Sequence, residues 1–202
     1  MNVNVDPVSG DVEVVLPARA SERAAASAVS ELRSWIGKQQ NKAQLARDHV
    51  SARGSTLPYL DETLQLAPEP GRTRAHRKGD RLLVPEMDAA PAVVALDRRL
   101  AKAEVEPRLD AAVAALGTSY WSVRIAGQRT RWGSCTATGV MSFNWRLLLA
   151  PERVLDYVVW HEACHLVVLD HSARYWSLLE SHVPGYREDS AWLRRNGATL
   201  VL

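Results

Sequence analysis

The sequence is poor in cysteine, in net charge and in long apolar runs, and each shortage argues against a class of protein. Two cysteines, Cys135 and Cys164, supply no disulfide framework, so we expect a reducing, cytoplasmic compartment. A net charge of +2 is too balanced to predict nucleic acid as a partner. No apolar run approaches the roughly 18 residues of a membrane-spanning helix. Residues 1–16 also lack the zones of a signal peptide, so we expect no membrane association.

What is present is the composition of an ordinary globular protein, with 202 residues, 47% of them hydrophobic and 24% charged. Residues 3–16 alternate apolar and polar around the turn-like DPVSGD, which predicts a β-hairpin. A helical pattern follows from Ser21, a suitable N-cap residue, to Val50. Prolines and glycines between short apolar runs predict strands and loops over residues 55–86. The basic tract RTRAHRKGDR at 72–81 predicts a solvated hairpin, with a local anion-binding patch as the alternative.

The second half of the chain alternates between helical and strand patterns. Residues 89–117 carry an apolar stripe of helical period that Gly117 ends. Four apolar residues then alternate with polar ones, the period of a half-buried strand: Met141, Phe143, Trp145 and Leu147. TATG at 136–139 predicts the turn that joins this strand to the preceding RTRWGSC. Pro151 begins a further helix, and a last helix, YREDSAWLRRN, is stopped by Gly197.

HEACH at residues 161–165 matches the pattern H-E-x-x-H. On a helix His161 and His165 lie about 40° apart around the axis and one turn along it, so both imidazoles can point at one metal ion. Glu162 lies about 100° from His161, where a carboxylate can take a proton from metal-bound water. Zinc favours imidazole nitrogen and, at catalytic sites, three protein ligands with one water. The pattern therefore predicts a zinc site with Glu162 as the catalytic residue.

His171 is the predicted third ligand. In an unbroken helix His171 would lie roughly 15 Å from His161 along the axis, so the helix must end between His165 and His171. Asp170 tolerates the left-handed backbone that ends a helix, and Ser172 can start the next helix at once. Two residues one helix further on are the alternative third ligands: Glu180 and His182.

The alternative to a metal site is a core helix whose histidines are satisfied by hydrogen bonds. Burying two imidazoles and a carboxylate among valines and leucines is costly unless they are paired or metal-bound, so this stretch favours a metal. Cys164 points away from His165 and is expected to pack, and Cys135 is expected to be a small buried residue. Three residues are candidate hydrogen-bond partners of the histidine N–H groups: Asp170, Asp156 and Asn144.

A long stretch around the HEACH motif resembles a known family. RTRWGSCTATGVMSFNWRLLLAPERVLDYVVWHEACHLVVLDHSARYW resembles the YgjP-like metallopeptidase domain family, which is related to the SprT-like and minigluzincin zinc metallopeptidases. The signatures are RWGSC, NWRLLLAP, DYVVWHEACHL, DHSARYW and a WLRRNG-like ending, and they cover roughly residues 120–197. We expect an α+β, zincin-like fold with a small mixed or antiparallel sheet beside the HExxH helix. Residues 1–86 would form a hairpin, helix and strand part of one continuous unit with a metallohydrolase part at 87–202.

The resemblance implies His161, His165 and His171 as zinc ligands and Glu162 as the catalytic base. The chain departs from the family's frequent residues at two positions, and neither is expected to touch a ligand: Asp170 in place of Asn and Tyr175 in place of Phe.

The expected function is that of a zinc metallopeptidase that acts on a peptide or protein. An extended peptide would add to the edge of the RTRWGSC/VMSFNWR hairpin, with Arg131, Trp132 and Asn144 as cleft residues.

Two alternatives remain open from the residues alone. One is a metal-dependent hydrolase of nucleoside triphosphates. The basic tract could bind the phosphates together with three further arginines: Arg124, Arg129 and Arg131. The chain has no glycine-rich phosphate loop, which counts against this alternative. The other is a non-catalytic, zinc-stabilised binding module, although structural zinc sites usually have four Cys or His ligands.

Overall fold

The structure, a computed structural model, describes residues 2–6, 9–17, 21–87, 89–128 and 130–202, with the backbone alone at residues 22, 24, 25 and 28. Pro7 and Val8 of the predicted DPVSGD turn, and Arg129, lie outside the described residues.

The chain packs as two compact units, Met1–Gly54 with Asn196–Val201, and Ser55–Arg195 with Leu202. The division into functional parts at residues 86 and 87 stays a prediction, as does a cytoplasmic location. Within the described ranges, no helix has both the length and the apolar character needed to cross a bilayer.

The first unit contains a hairpin and two helices: β1 (Asn2–Val5), β2 (Val12–Val15), α1 (Glu22–Glu31) and α2 (Arg33–Ala52). Strands β1 and β2 pair antiparallel, as their alternating sequence predicts. The predicted single helix is divided because Leu32 leaves helical geometry, with φ −97° and ψ 7°. Val3 and Ile36 form a small core between the hairpin and α2.

The second unit begins with a four-stranded sheet: β3 (Thr56–Tyr59), β4 (Glu62–Glu69), β5 (His76–Lys78) and β6 (Arg81–Pro85). The strand order is β3-β4-β6-β5, in which β4 and β6 are parallel and the two outer pairs are antiparallel. The strands predicted for residues 55–86 are thus confirmed, and most of the basic tract lies in the β5–β6 hairpin. Helix α3 (Ala89–Leu116) follows, and Gly117 ends it with φ 64°.

A second, three-stranded sheet follows α3: β7 (Ser122–Ala126), β8 (Gly133–Cys135) and β9 (Val140–Asn144). The central strand β9 pairs parallel with β7 and antiparallel with β8, which leaves β8 at an edge. This is the expected small mixed sheet. The prediction of a half-buried strand running to Leu147 is wrong, because the strand stops at Asn144 and a 3-10 helix spans Trp145–Leu149. Ser142 and Asn144 are buried as well, since both faces of β9 are covered.

Three helices complete the second unit: α4 (Glu152–Cys164), α5 (Ala173–His182) and α6 (Tyr186–Asn196). Helix α4 packs on α3 through buried apolar residues, and Arg108 of α3 fixes the pair from the side. The Arg108 guanidinium donates to the carboxylates of Glu104 (2.6 Å), Asp156 (2.9 Å) and Glu152. The strands and helices together confirm the α+β class.

Candidate metal centre

The end of α4 determines where the three predicted ligands lie. Helix α4 ends at Cys164 with His165 as its C-cap residue, and α5 begins after Ser172, so the predicted helix break before His171 is confirmed. The predicted cause is wrong, because among the described non-glycine residues Leu60, not Asp170, has a positive φ. The Asp170 carboxylate instead accepts a hydrogen bond from the Ser172 N–H at 3.0 Å, a local turn that starts α5.

The break brings the three histidines together. One ring nitrogen from each of His161, His165 and His171 lies within 4.8 Å of the other two. The Nε2 atoms of His161 and His171 are 3.3 Å apart. Two nitrogens bound tetrahedrally to zinc at about 2.0–2.1 Å are also separated by about 3.3 Å. The spacing and the all-imidazole donor set therefore fit a zinc ion.

Hydrogen bonding orients His165 for a ligand role. Its Nδ1 lies 3.1 Å from the carbonyl oxygen of Val168. A carbonyl oxygen can only accept, so Nδ1 carries the hydrogen and the lone pair is on Nε2. Val168 thus supplies the partner that fixes the tautomer of a metal-binding histidine.

The surroundings of His161 strongly lower the pKa of its imidazole. Burial, then the neighbouring His165 and His171, lower the pKa of His161 to about 4, and burial also lowers the pKa of His165. Both rings are therefore neutral at neutral pH and have lone pairs to donate. The Nε2 of His161 faces that of His171, whereas its buried Nδ1 has no hydrogen-bond partner among the residues that the structure describes.

Tyr175 contacts the cluster directly, and the expectation that it touches no ligand is wrong. Its buried ring stacks on the ring of His165, with centroids 4.6 Å apart, and lies 4.8 Å from that of His171. Its hydroxyl donates to the carbonyl oxygen of His161 at 2.8 Å. A phenylalanine could make the same ring contacts without the hydrogen bond. The sequence offered no sign of this role beyond the position of Tyr175 four residues after His171.

Glu162 lies on the side of α4 that faces the edge strand β8. Its side chain is buried, which raises the pKa of the carboxyl to about 7, and nearby Arg131 partly opposes that rise. A Cβ atom on Gly133 would come within 2.6 Å of both Cγ and Oε1 of Glu162. Only glycine therefore lets β8 approach this carboxylate. The glycine is part of the RWGSC motif. Its role in giving space to Glu162 depends on the packing of β8 against α4, which the motif alone does not predict.

Asn144 supports the loop that carries Arg131 and leads into β8. Its side-chain amide donates to the carbonyl oxygens of Gln128 (2.7 Å) and Arg131 (3.1 Å). Its carbonyl oxygen accepts from the Arg146 N–H at 3.2 Å. Trp132 also joins this loop to the sheet, since its carbonyl oxygen accepts from the Asn144 N–H at 2.8 Å.

The three candidate partners of the histidine N–H groups are not in that role. Asn144 binds the loop, Asp156 binds Arg108, and Asp170 binds the Ser172 N–H. The carbonyl oxygen of Val168 takes the place predicted for a side chain, since the chain turns back over His165.

The alternative third ligands lie elsewhere. Glu180 binds the Gly185 N–H and Arg187, and the His182 ring stacks on Trp160 at 4.4 Å. Cys164 is fully buried and packs, as expected. Burial raises the pKa of both cysteine thiols to about 11, which argues against a nucleophilic thiolate at either residue.

Two arginines of the basic tract form their ion pairs with carboxylates of β4. Arg77 of β5 pairs with Glu62 and lies 4.5 Å over the Tyr59 ring, all within the four-stranded sheet. Arg72 pairs with Glu69 at 2.6 Å. Arg131 approaches Glu162, whereas Arg124 is exposed on β7.

Comparison with known proteins identifies the family. The sequence model of the YgjP-like metallopeptidase domain matches residues 1–196. The chain belongs to the YgjP-like metallopeptidase domain family. Among solved structures, the crystal structure of the metallopeptidase zymogen of Pyrococcus abyssi abylysin shares 24% identity and a TM-score of 0.41, covering 45% of this chain and 93% of that one. A search of curated proteins finds no match. Membership of the YgjP-like family implies a hydrolase that uses a divalent metal and acts on a peptide or protein.

Proposed function

We propose that this YgjP-like chain is a zinc-dependent metallopeptidase, with His161, His165 and His171 as the metal ligands and Glu162 as the general base. One observation carries the proposal: three imidazoles converge within 4.8 Å beside a buried carboxylate. A structural zinc site would be closed by a fourth Cys or His, and the described residues place none in this cluster.

Zinc, when bound, polarises the scissile carbonyl and lowers the pKa of bound water. Glu162 accepts the proton of the attacking water as the oxygen bonds to the carbonyl carbon. The same carboxyl then gives that proton to the nitrogen of the leaving amine as the C–N bond breaks. Burial raises the pKa of Glu162 to about 7 before any ion contributes charge, which suits a group that both takes and returns a proton.

The edge strand β8 is where we expect the substrate backbone to bind. Strand β8 pairs with β9 on one side alone and lies against α4 beside Glu162. An extended peptide that paired with the open edge would pass the carboxylate with its backbone already ordered. Asn144 and Trp132 form hydrogen bonds that hold the loop before β8. They would therefore affect substrate binding by positioning β8.

The test uses the purified chain and its Glu162→Gln variant on unstructured peptides, with fluorescence release as the readout. Glutamine keeps the shape but cannot accept the proton, so kcat should fall at least about a hundredfold, while zinc content stays the same. Parallel assays of phosphate release from nucleoside triphosphates test the rival hydrolase. Equal peptide cleavage by both proteins, or phosphate release without peptide cleavage, would overturn the proposal.

A further inference from the structure

A cavity of about 690 Å³ lies between the β4–β5 connection, the end of β6 and the first half of α3. It has the size of a typical pocket for a small ligand or a few residues of a peptide. No residue that lines it belongs to the histidine cluster or to the Glu162 surroundings. It is therefore a site that the proposed peptidase chemistry does not use.

Thr73 and three arginines form the polar wall of the cavity: Arg72, Arg74 and Arg99. Glu69 binds Arg72 through Nε (2.9 Å) and NH2 (2.6 Å). Neither Arg74 nor Arg99 forms an ion pair with another residue that the structure describes, and both are exposed. The wall thus has two guanidinium groups available to an anion, and a guanidinium matches a carboxylate with two parallel hydrogen bonds.

The first turn of α3 adds to this positive field. Pro91 and Ala92, near the start of the 28-residue helix, line the same cavity. The positive end of a helix dipole stabilises negative charge within its first turn. Two guanidinium groups and a helix end therefore act on the same space.

The remaining wall is aliphatic. It includes the buried Ala75 and the side chain of Met87, which is 82% exposed. None of the described residues that line the cavity is aromatic, so a nucleotide base would find no stacking partner among them. Aliphatic side chains would bury apolar surface against alanine, proline and methionine.

We infer that this cavity binds an acidic segment of a polypeptide. Carboxylates of the segment pair with Arg74 and Arg99, and an aliphatic side chain beside them packs against Met87 and the proline and alanine wall. In a metallopeptidase-family chain such a cavity would hold part of a protein partner away from the metal centre. Binding there requires neither zinc nor catalysis, so the inference stands or falls separately from the proposed function.

The test is fluorescence anisotropy with a labelled peptide of alternating glutamate and leucine. The full chain carries Glu162→Gln, which keeps the peptide intact even if the chain is a peptidase. We expect saturable binding that weakens at high salt, because exposed charges are screened. The matching peptide with glutamine in place of glutamate should bind at least about tenfold more weakly.

Arg98 provides a matched control, because it is exposed, lies on α3 beside Arg99 and does not line the cavity. Arg74→Gln and Arg99→Gln should each weaken binding by about fivefold or more, whereas Arg98→Gln, with the same change in net charge, should alter it less than about twofold. Equal losses in all three variants, equal binding of the glutamine peptide, or displacement of the acidic peptide by a nucleoside triphosphate or anionic vesicles would overturn the inference.

Discussion

The buried carboxyl of Asp97 should make the stability of the second unit depend on pH. This α3 residue is 2% exposed, and its Oδ2 atom has no hydrogen-bond partner among the residues that the structure describes. Burial raises the pKa of its carboxyl from 3.8 to about 7. The folded chain therefore holds this proton over a pH range in which the unfolded chain has lost it, and folding is weakened as pH rises.

The sign and size follow from that difference. The folded pKa is the higher one, so stability is fully present below about pH 4, falls as pH rises towards about 7 and then levels off. About three pKa units at about 1.4 kcal/mol each give a loss of about 4 kcal/mol, an upper limit because water and local relaxation reduce the cost of a buried charge. An asparagine side chain at this position cannot ionise, so Asp97→Asn should remove this slope.

The assay is urea unfolding of the wild-type chain and Asp97→Asn between pH 4 and pH 8, in the presence of a chelator. The difference between the two free energies of unfolding isolates Asp97, because every other titratable residue is the same in both proteins. As pH rises, the free energy of unfolding of the variant should increase by a few kcal/mol relative to that of the wild type. Asp80→Asn, at an exposed position of the same unit, is the control and should show no such trend. A difference between wild type and Asp97→Asn that stays constant over this range would contradict a raised pKa of Asp97 in the folded chain.

Three further predictions concern the metal centre. Gly133→Ala should displace the Glu162 side chain, since the new Cβ would lie 2.6 Å from Oε1. The kcat for peptides should then fall at least about tenfold while the zinc content stays the same, and an unchanged kcat would contradict this prediction. Tyr175→Phe should lower the free energy of unfolding by about 1 kcal/mol, because it removes the buried hydrogen bond to the His161 carbonyl. The variant should still bind zinc, and a loss of zinc would contradict this prediction. Dialysis against a chelator should abolish peptide cleavage and added zinc should restore it, as fluorescence release would report, whereas activity that survives metal removal would exclude metal chemistry.

The convergence of the three histidines can be predicted from the sequence, because it follows from helix geometry alone. His161 and His165 share a face at their spacing, and His171 cannot reach that face unless the helix ends. The break itself was predictable from that requirement. How the chain makes the break was not, because Asp170 binds the Ser172 N–H instead of adopting a left-handed backbone.

The surroundings of the histidines depended on contacts between elements far apart in sequence. Val168 serves His165 through a backbone carbonyl, a group that every residue has and that no side-chain pattern reveals. Gly133 matters because β8 faces α4, and that depends on the order of strands in the sheet. The burial of Ser142 and Asn144 likewise depends on what covers β9, which their alternation with apolar residues did not show.

The three-histidine site is tested by the zinc content of the purified chain and of two single-histidine variants, measured by elemental analysis without added metal. His171→Ala removes a proposed ligand, and His182→Ala removes the histidine that stacks on Trp160 and serves as the matched control. We predict about one zinc per chain in the wild type and in His182→Ala, and a sharp loss in His171→Ala. Full zinc in His171→Ala, or no zinc in any of the three proteins, would contradict the three-histidine site.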